Sequence, residues 1–389
     1  MLACVFWFAF RADGNAHGME ASAAVTTRRR FIGTGTRALA GLAVLGTAGC
    51  SGAAGSNVQD KLRIPLANSF IGNTWRLEME NTYRAALAME PYRSQVFGQV
   101  YNSSNNMSDQ AEQVSNLISA RVDAIVIDAA SPTGLNGVVS QAIERGILVV
   151  SFDNIVTAPG ALQVNTDQFA FGRDLALWLV KELHGKGNVV MVTGVPGTFV
   201  DTERTAGGMS VFSRYPQIKV VNKFSGMWDS SVAQKNTAAI LPSLPKIDGI
   251  WAQGGTDGVL KAFVAAGRPL PPTAGESENG FRKFMTGAKN GRKLSAFSIG
   301  QPPYLVLIAL ELARRILRHE YPRKSITLPF PTATTGTLEN GLTVFPELPD
   351  SFFTAVTDTT SQHLVEVPLS EVVTGKPARP AIDVRLPAL

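Results

Sequence analysis

Cysteine is almost absent from this chain. The two present are Cys4 and Cys50, so residues 51–389 hold no disulfide framework and no thiolate metal site. Histidine is nearly as scarce, and His184, His319 and His363, the three beyond residue 50, stand outside ligand spacing of one another. The apolar segment Ala38 to Gly49 falls short of the roughly 20 residues of a membrane span and is mostly small residues preceded by Arg37. A net positive charge is also missing from most of the chain. The formal charge is +5, but residues 1–50 hold five Lys+Arg against two Asp+Glu, leaving 31 against 29 in the remainder. No basic stripe is left to attract nucleic acid or an anionic membrane.

What is present begins with an address. Thr27-Arg28-Arg29-Arg30-Phe31-Ile32 followed by a short apolar run resembles a twin-arginine export signal, and Thr47-Ala48-Gly49-Cys50 resembles a bacterial lipoprotein cleavage box. Residues 1–50 are therefore read as an export signal with Cys50 as the lipid attachment site, and cleavage near Ala48 without lipid is the alternative. Residues 1–18 carry a second apolar patch, Val5 to Phe10, that does not suit this scheme, and translation from Met19 would remove it. Residues 51–61 are small and polar, a flexible tether to a periplasmic or envelope-bound protein.

From Leu62, short apolar runs alternate with amphipathic stretches of helical length, the signature of repeated strand and helix units on parallel sheets. Strands are expected at Leu62–Ala67, Ser94–Val100, Ala124–Ile127 and Leu148–Phe152, with a second series beginning at Asp167. About 330 residues exceed what one core usually organises. The fold class expected is α/β, with two Rossmann-like lobes of parallel sheet flanked by helices. The tail from Lys324 is rich in Pro and Thr and weakly periodic.

In open α/β sheets ligands bind beyond the carboxyl ends of the strands. The turns there are polar and aromatic: Asn68 to Arg76, Asp153-Asn154, Asp201 to Arg204, Trp228-Asp229, Gln253 to Asp257 and Gly275 to Asn279. Helix capping accounts for Asn73, Thr202 and Thr256. It does not account for Trp75, Arg76, Arg204 and Trp228.

Five segments, the Asn-Ser turn with Trp75-Arg76, Ala124 to Asp128, Val149 to Asp153, Asp201 to Gly207 and Gly275-Glu276, together resemble the periplasmic sugar-binding proteins of the ribose and galactose type. The resemblance covers roughly Leu62 to Glu320. It implies two lobes joined by three hinge crossovers, near Val164 to Thr166, Ile299 to Gln301 and Leu328 to Pro331. The first lobe would be 62–165 plus 300–328 and the second 166–299 plus 329–389. It further implies a sugar bound by Asn68, Asn73, Trp75, Arg76 and Asp153 from the first lobe, Arg204, Trp228, Gln253 and Glu276 from the second, and Gln301 near the hinge. Neither catalytic residue nor metal nor other cofactor is implied. The partners implied are a small sugar and an ABC permease in the inner membrane, with no nucleic acid, membrane contact only through the N-terminal lipid, and a monomeric state. Many relatives have Arg where Asn154 stands and Asn-Asp where Gly254-Gly255 stand, which implies room for a larger or differently shaped ligand. Arg76 and Arg204 would also suit an acidic sugar.

Three rivals remain at this point. Asp153 and Glu276 could be the paired carboxylates of an exported glycoside hydrolase. A sugar-responsive repressor shares the fold but needs a DNA-binding segment where this chain has an export signal. A sensing subunit would present the loaded protein to a chemoreceptor or sensor kinase instead of a permease.

Overall fold

In a computed structural model, which describes residues 61–357, 360 and 362–388, the run Ala124–Asp128 forms a strand buried along its whole length. Ala124 and Val126 enter one hydrophobic cluster and Ile125 and Ile127 another on the opposite face, because strand side chains alternate. A strand covered on both faces belongs inside a parallel sheet. The sheet around it runs, in spatial order, Ile326–Leu328, Leu162–Thr166, Leu148–Phe152, Ala124–Asp128, Leu66–Asn68 and Val100–Asn102, with every pair parallel. A second sheet runs Thr332–Thr334, Ala296–Ile299, Thr273–Glu276, Gly249–Ala252, Gly187–Thr193 and Ile218–Ser225. Only its edge strand, Thr332–Thr334, is antiparallel.

Helices cover both sheets, giving the two α/β lobes expected. The chain leaves the first sheet after Thr166 and enters helix Gln168–Glu182, whose Phe171, Leu175 and Leu179 pack with Val189, Met191 and Trp251 of the second lobe. It returns after Ile299 into helix Leu305–Leu317, buried against the first sheet, and passes across again between Leu328 and Thr332. The segments expected to be the export signal with Cys50 and nearly all of the expected tether lie outside the described residues.

Several local expectations change. Ser94–Val100 is not one strand but helix Tyr92–Gln95, strand Val96–Phe97 and the start of strand Val100–Asn102. The break falls at Gly98, opposite Ile64, whose carbonyl the Tyr83 hydroxyl takes and whose successor Pro65 has no N–H to give, while Ile64 N–H to the Phe97 carbonyl at 2.9 Å and Leu66 N–H to the Gln99 carbonyl at 2.8 Å close on either side. Thr202 and Thr256 are not caps. Thr198 caps helix Phe199–Phe212, and the buried Glu278 carboxylate accepts the N–H groups of Gly255 and Thr256. The tail does not sit with the second lobe alone. Leu364, Val365, Val367, Val372, Ile382 and Val384 join the hydrophobic cluster of the first lobe, and Asn81 donates to the Val372 carbonyl at 2.8 Å. Weak periodicity hid this because the segment has little regular structure and buries its side chains one at a time.

Candidate functional site

Between the carboxyl ends of the two sheets lies a cavity lined by Asn73, Trp75, Arg76, Asp153, Val200, Arg204, Trp228, Glu276, Gln301 and Phe353. Eight of the ten residues named from the sequence are in this lining. Asn68 and Gln253 are not; both are fully buried one layer behind it.

On the first lobe, Asn73 caps helix Thr74–Leu87 by accepting from the Arg76 N–H at 3.0 Å, which sets Trp75 and Arg76 on the first turn beyond strand Leu66–Asn68. Arg76 donates through Nη1 to Asn68 Oδ1 at 2.5 Å, pairs with buried Asp128, and holds Nη2 3.9 Å from Asp153 Oδ2. Asn68 in turn donates to Phe70, Glu80 and Asn102, so its amide is spent on protein and orients Arg76 rather than facing the cavity. Burial pushes the Asp128 carboxyl well above its ordinary value, and the Arg76 charge opposes that rise. Asp153 has φ +53°, a conformation that non-glycine residues rarely adopt. Its carboxylate is aimed by Gln301 Nε2 at 2.8 Å and Asn154 Nδ2 at 2.9 Å.

On the second lobe, Arg204 lies on a helix that packs unusually close to its neighbour. A Cβ on Gly172 would sit 1.9 Å from the Arg204 carbonyl, and one on Gly207 would sit 2.1 Å from the Phe169 carbonyl. That approach stacks the guanidinium 3.7 Å over the Phe171 ring and brings Nε to Gln168 Oε1 at 2.7 Å and Nη1 to Glu276 Oε2 at 2.8 Å. Burial raises the Glu276 carboxyl and the Arg204 charge works against the rise. Trp228, at φ +52°, occupies the space of absent side chains: its indole lies 2.1 Å from where a Gly194 Cβ would be and 2.6 Å from a Gly254 Cβ. The room inferred at Gly254-Gly255 is therefore taken by Trp228 at Gly254 and by Ala233 and the Asp229 backbone at Gly255, and is not left to a ligand. Gln253 holds the indole N–H at 3.2 Å and donates to Asp201 and Thr205.

The halves are joined by hydrogen bonds. Trp75 Nε1 donates to the Gln301 carbonyl at 2.9 Å, Thr166 Oγ1 to Gln301 Oε1 at 2.7 Å, and Gln168 Nε2 to Thr166 Oγ1 at 3.0 Å, so a chain of bonds runs along the crossings from Trp75 and Asp153 to Arg204. Asn154 Oδ1 accepts the Val200 N–H at 3.1 Å across the cleft, which gives a place to the asparagine found where an arginine was expected. Sequence reasoning missed Val200, Phe353, Asp128, Thr166 and Gln168. The last three are single polar residues at strand or helix ends, and only their burial marks them. Val200 and Phe353 carry no polar signature at all.

Residues 64–320 match the family described as a periplasmic binding protein domain. The chain is 31% identical over 266 residues to a xylitol-binding protein of Mycolicibacterium smegmatis, covering 66% of this chain and 73% of that one. It is 25% identical over 238 residues to a ribose import binding protein of Bacillus subtilis, covering 60% and 76%. An ABC transporter solute binding protein from Thermobispora bispora superposes with a TM-score of 0.68 at 28% identity, over 83% of this chain and 99% of that one.

Proposed function

We propose that this chain, which belongs to the periplasmic binding protein family, captures a small polyhydroxylated ligand, a sugar or polyol, by closure of its two lobes and hands it to an ABC permease. The observation that carries the reading is the symmetry of supply around one cavity. Trp75, Arg76 and Asp153 come from one lobe and Arg204, Trp228 and Glu276 from the other. An aromatic face covers the C–H face of a sugar ring, and charged planar groups take neighbouring hydroxyls in pairs. The protein's own bonds occupy Nε and Nη1 of Arg204 and leave Nη2 for a ligand. Asp153 is engaged with Arg76 and with the Gln301 and Asn154 amides, and Glu276 with Arg204, an arrangement of fixed acceptors for hydroxyls. The two relatives just named are themselves described as binding proteins.

A ligand touching both lobes binds the closed form better and shifts the population toward it. Export, and tethering through a lipid on Cys50, complete the proposed role; replacing Cys50 by serine should release the protein from the membrane fraction. The direct test is a thermal-shift screen of the purified protein against xylitol, D-ribose, D-allose, D-galactose, myo-inositol and D-glucuronate. Ligand at about 1,000 times its dissociation constant adds about 4 kcal/mol. A saturable shift with at least one compound is expected, and a flat response to all six removes the proposal.

A further inference from the structure

We propose that Phe353 is a specificity-determining residue of this cavity, brought to it by a C-terminal segment that lies outside the family match. The inference rests on the binding function proposed above. The match ends at residue 320, whereas Phe353 is buried and forms part of the lining.

Its placement is fixed from both lobes at once. The Phe353 N–H donates to Glu78 Oε1 at 2.9 Å, and Glu78 lies on helix Thr74–Leu87, one turn beyond Trp75. On the other side Phe353 forms an antiparallel bridge with Glu278: Asn279 N–H donates to the Phe352 carbonyl at 2.7 Å, and Thr354 N–H to the Ser277 carbonyl at 2.9 Å. The bridge stands two residues beyond Glu276. Before it, Asp350 pairs with Lys261 at 3.3 Å, Lys283 at 3.4 Å and Lys289 at 2.8 Å, all in the second lobe. After it, Val356 and residues 364–384 contribute to the core of the first lobe. A segment held on each side of one residue cannot slide, so the ring keeps its position when the lobes are together. Glu78 is a buried carboxyl whose other oxygen has no hydrogen-bond partner among the described residues, and holding this one backbone N–H is the contact it makes with the tail.

The chemistry follows from the company the ring keeps. Most of the lining is polar or amphipathic, and Phe353 and Val200 are its purely apolar members. A phenyl wall accepts ring C–H groups and leaves a hydroxyl or hydroxymethyl group there without a partner, so it selects against the larger homologue. D-ribose and D-allose differ by one such hydroxymethyl group, and xylitol offers the same number of carbons as ribose without a ring.

The experiment is calorimetric titration of the wild type, Phe353→Ala and Phe353→Leu with xylitol, D-ribose and D-allose, alongside the other compounds of the screen. The alanine variant should lose at least about tenfold in affinity for the preferred wild-type ligand and shift its relative preference toward the larger hexoses. The leucine variant, which keeps the apolar burial of the segment, should fall between and serves if the alanine variant does not fold. Unchanged affinity and unchanged preference in a folded variant overturn the role of Phe353 while leaving the binding function standing. A wild type that binds none of the compounds overturns both.

Discussion

Glu276 is the residue at which charge, burial and the proposed ligand recognition meet. It is buried, paired with Arg204 at 2.8 Å, and its pKa is raised, by burial first, with Arg204 opposing. A raised folded-state pKa means that the protonated form favours folding: the contribution is complete below the ordinary carboxylate value and is lost as pH rises through the folded value. Glu276→Gln keeps the shape and removes the charge. It should therefore lose less melting temperature than the wild type between pH 4 and pH 8, while the buried Arg204 that it leaves without a charged partner lowers its stability at both. Ligand affinity should fall at least about tenfold at pH 8, about 1.4 kcal/mol, and the gap to wild type should narrow on acidification. Equal affinities at pH 8 would remove Glu276 from the site. Arg204→Ala is a different case, because it strands a buried carboxylate. Removing one partner of a buried pair costs about 3–5 kcal/mol, so this variant should melt markedly lower, as calorimetry would show. Residues of this kind were legible in the sequence because Arg, Trp and Glu at the ends of apolar runs lack a local explanation. Asn68 and Gln253 were legible as polar turn residues but not as second-layer supports, since only the coordinates show that their amides are already occupied.

At the scale of elements, the positions of Arg204 and Trp228 depend on glycines more than on their own neighbours in sequence. Helices Gln168–Glu182 and Phe199–Phe212 touch through Gly172 and Gly207, each facing a backbone carbonyl that cannot move aside cheaply. Gly207→Ala should push the helices apart, lowering the melting temperature and swinging Arg204 away from Glu276. Affinity and stability should fall together, and a Gly207→Ala protein with wild-type melting and binding would show that the contact is slack. The Gly that follows Arg204 by three residues was visible in the sequence as part of a family pattern, but its reason, backbone meeting backbone, requires the partner helix. The strand and helix rhythm was legible because apolar runs with no polar alternation have one good home, the interior of a parallel sheet. The tail was not, because its described residues from 335 onward contribute only one short helix, Leu369–Thr374, and otherwise bury side chains singly.

For the whole molecule the decisive quantity is the free-energy gap between separated and closed lobes. Contacts made across the cleft, such as Val200 N–H to Asn154, are neutral hydrogen bonds each worth about 0.5–1.5 kcal/mol net. A handful of them leaves both forms populated, and a ligand held by two lobes supplies the difference. Residues 51–389 lack cysteine, so a labelled pair is easily introduced with Cys4 and Cys50 replaced by serine. Exposed Ser108, on helix Met107–Ser119, and exposed Ser231, on helix Ser230–Ile240, report one lobe each. With spin labels at these two positions, the free protein should give a distance distribution with a longer component that saturating ligand removes. Asn154→Ala should enlarge the longer component before ligand is added and weaken binding by at least that factor, because the closed fraction sets the apparent affinity and the variant also loses the bond that aims Asp153. A distribution that a tightly bound sugar leaves unchanged would mean that the lobes are rigid and that the cavity fills by another route.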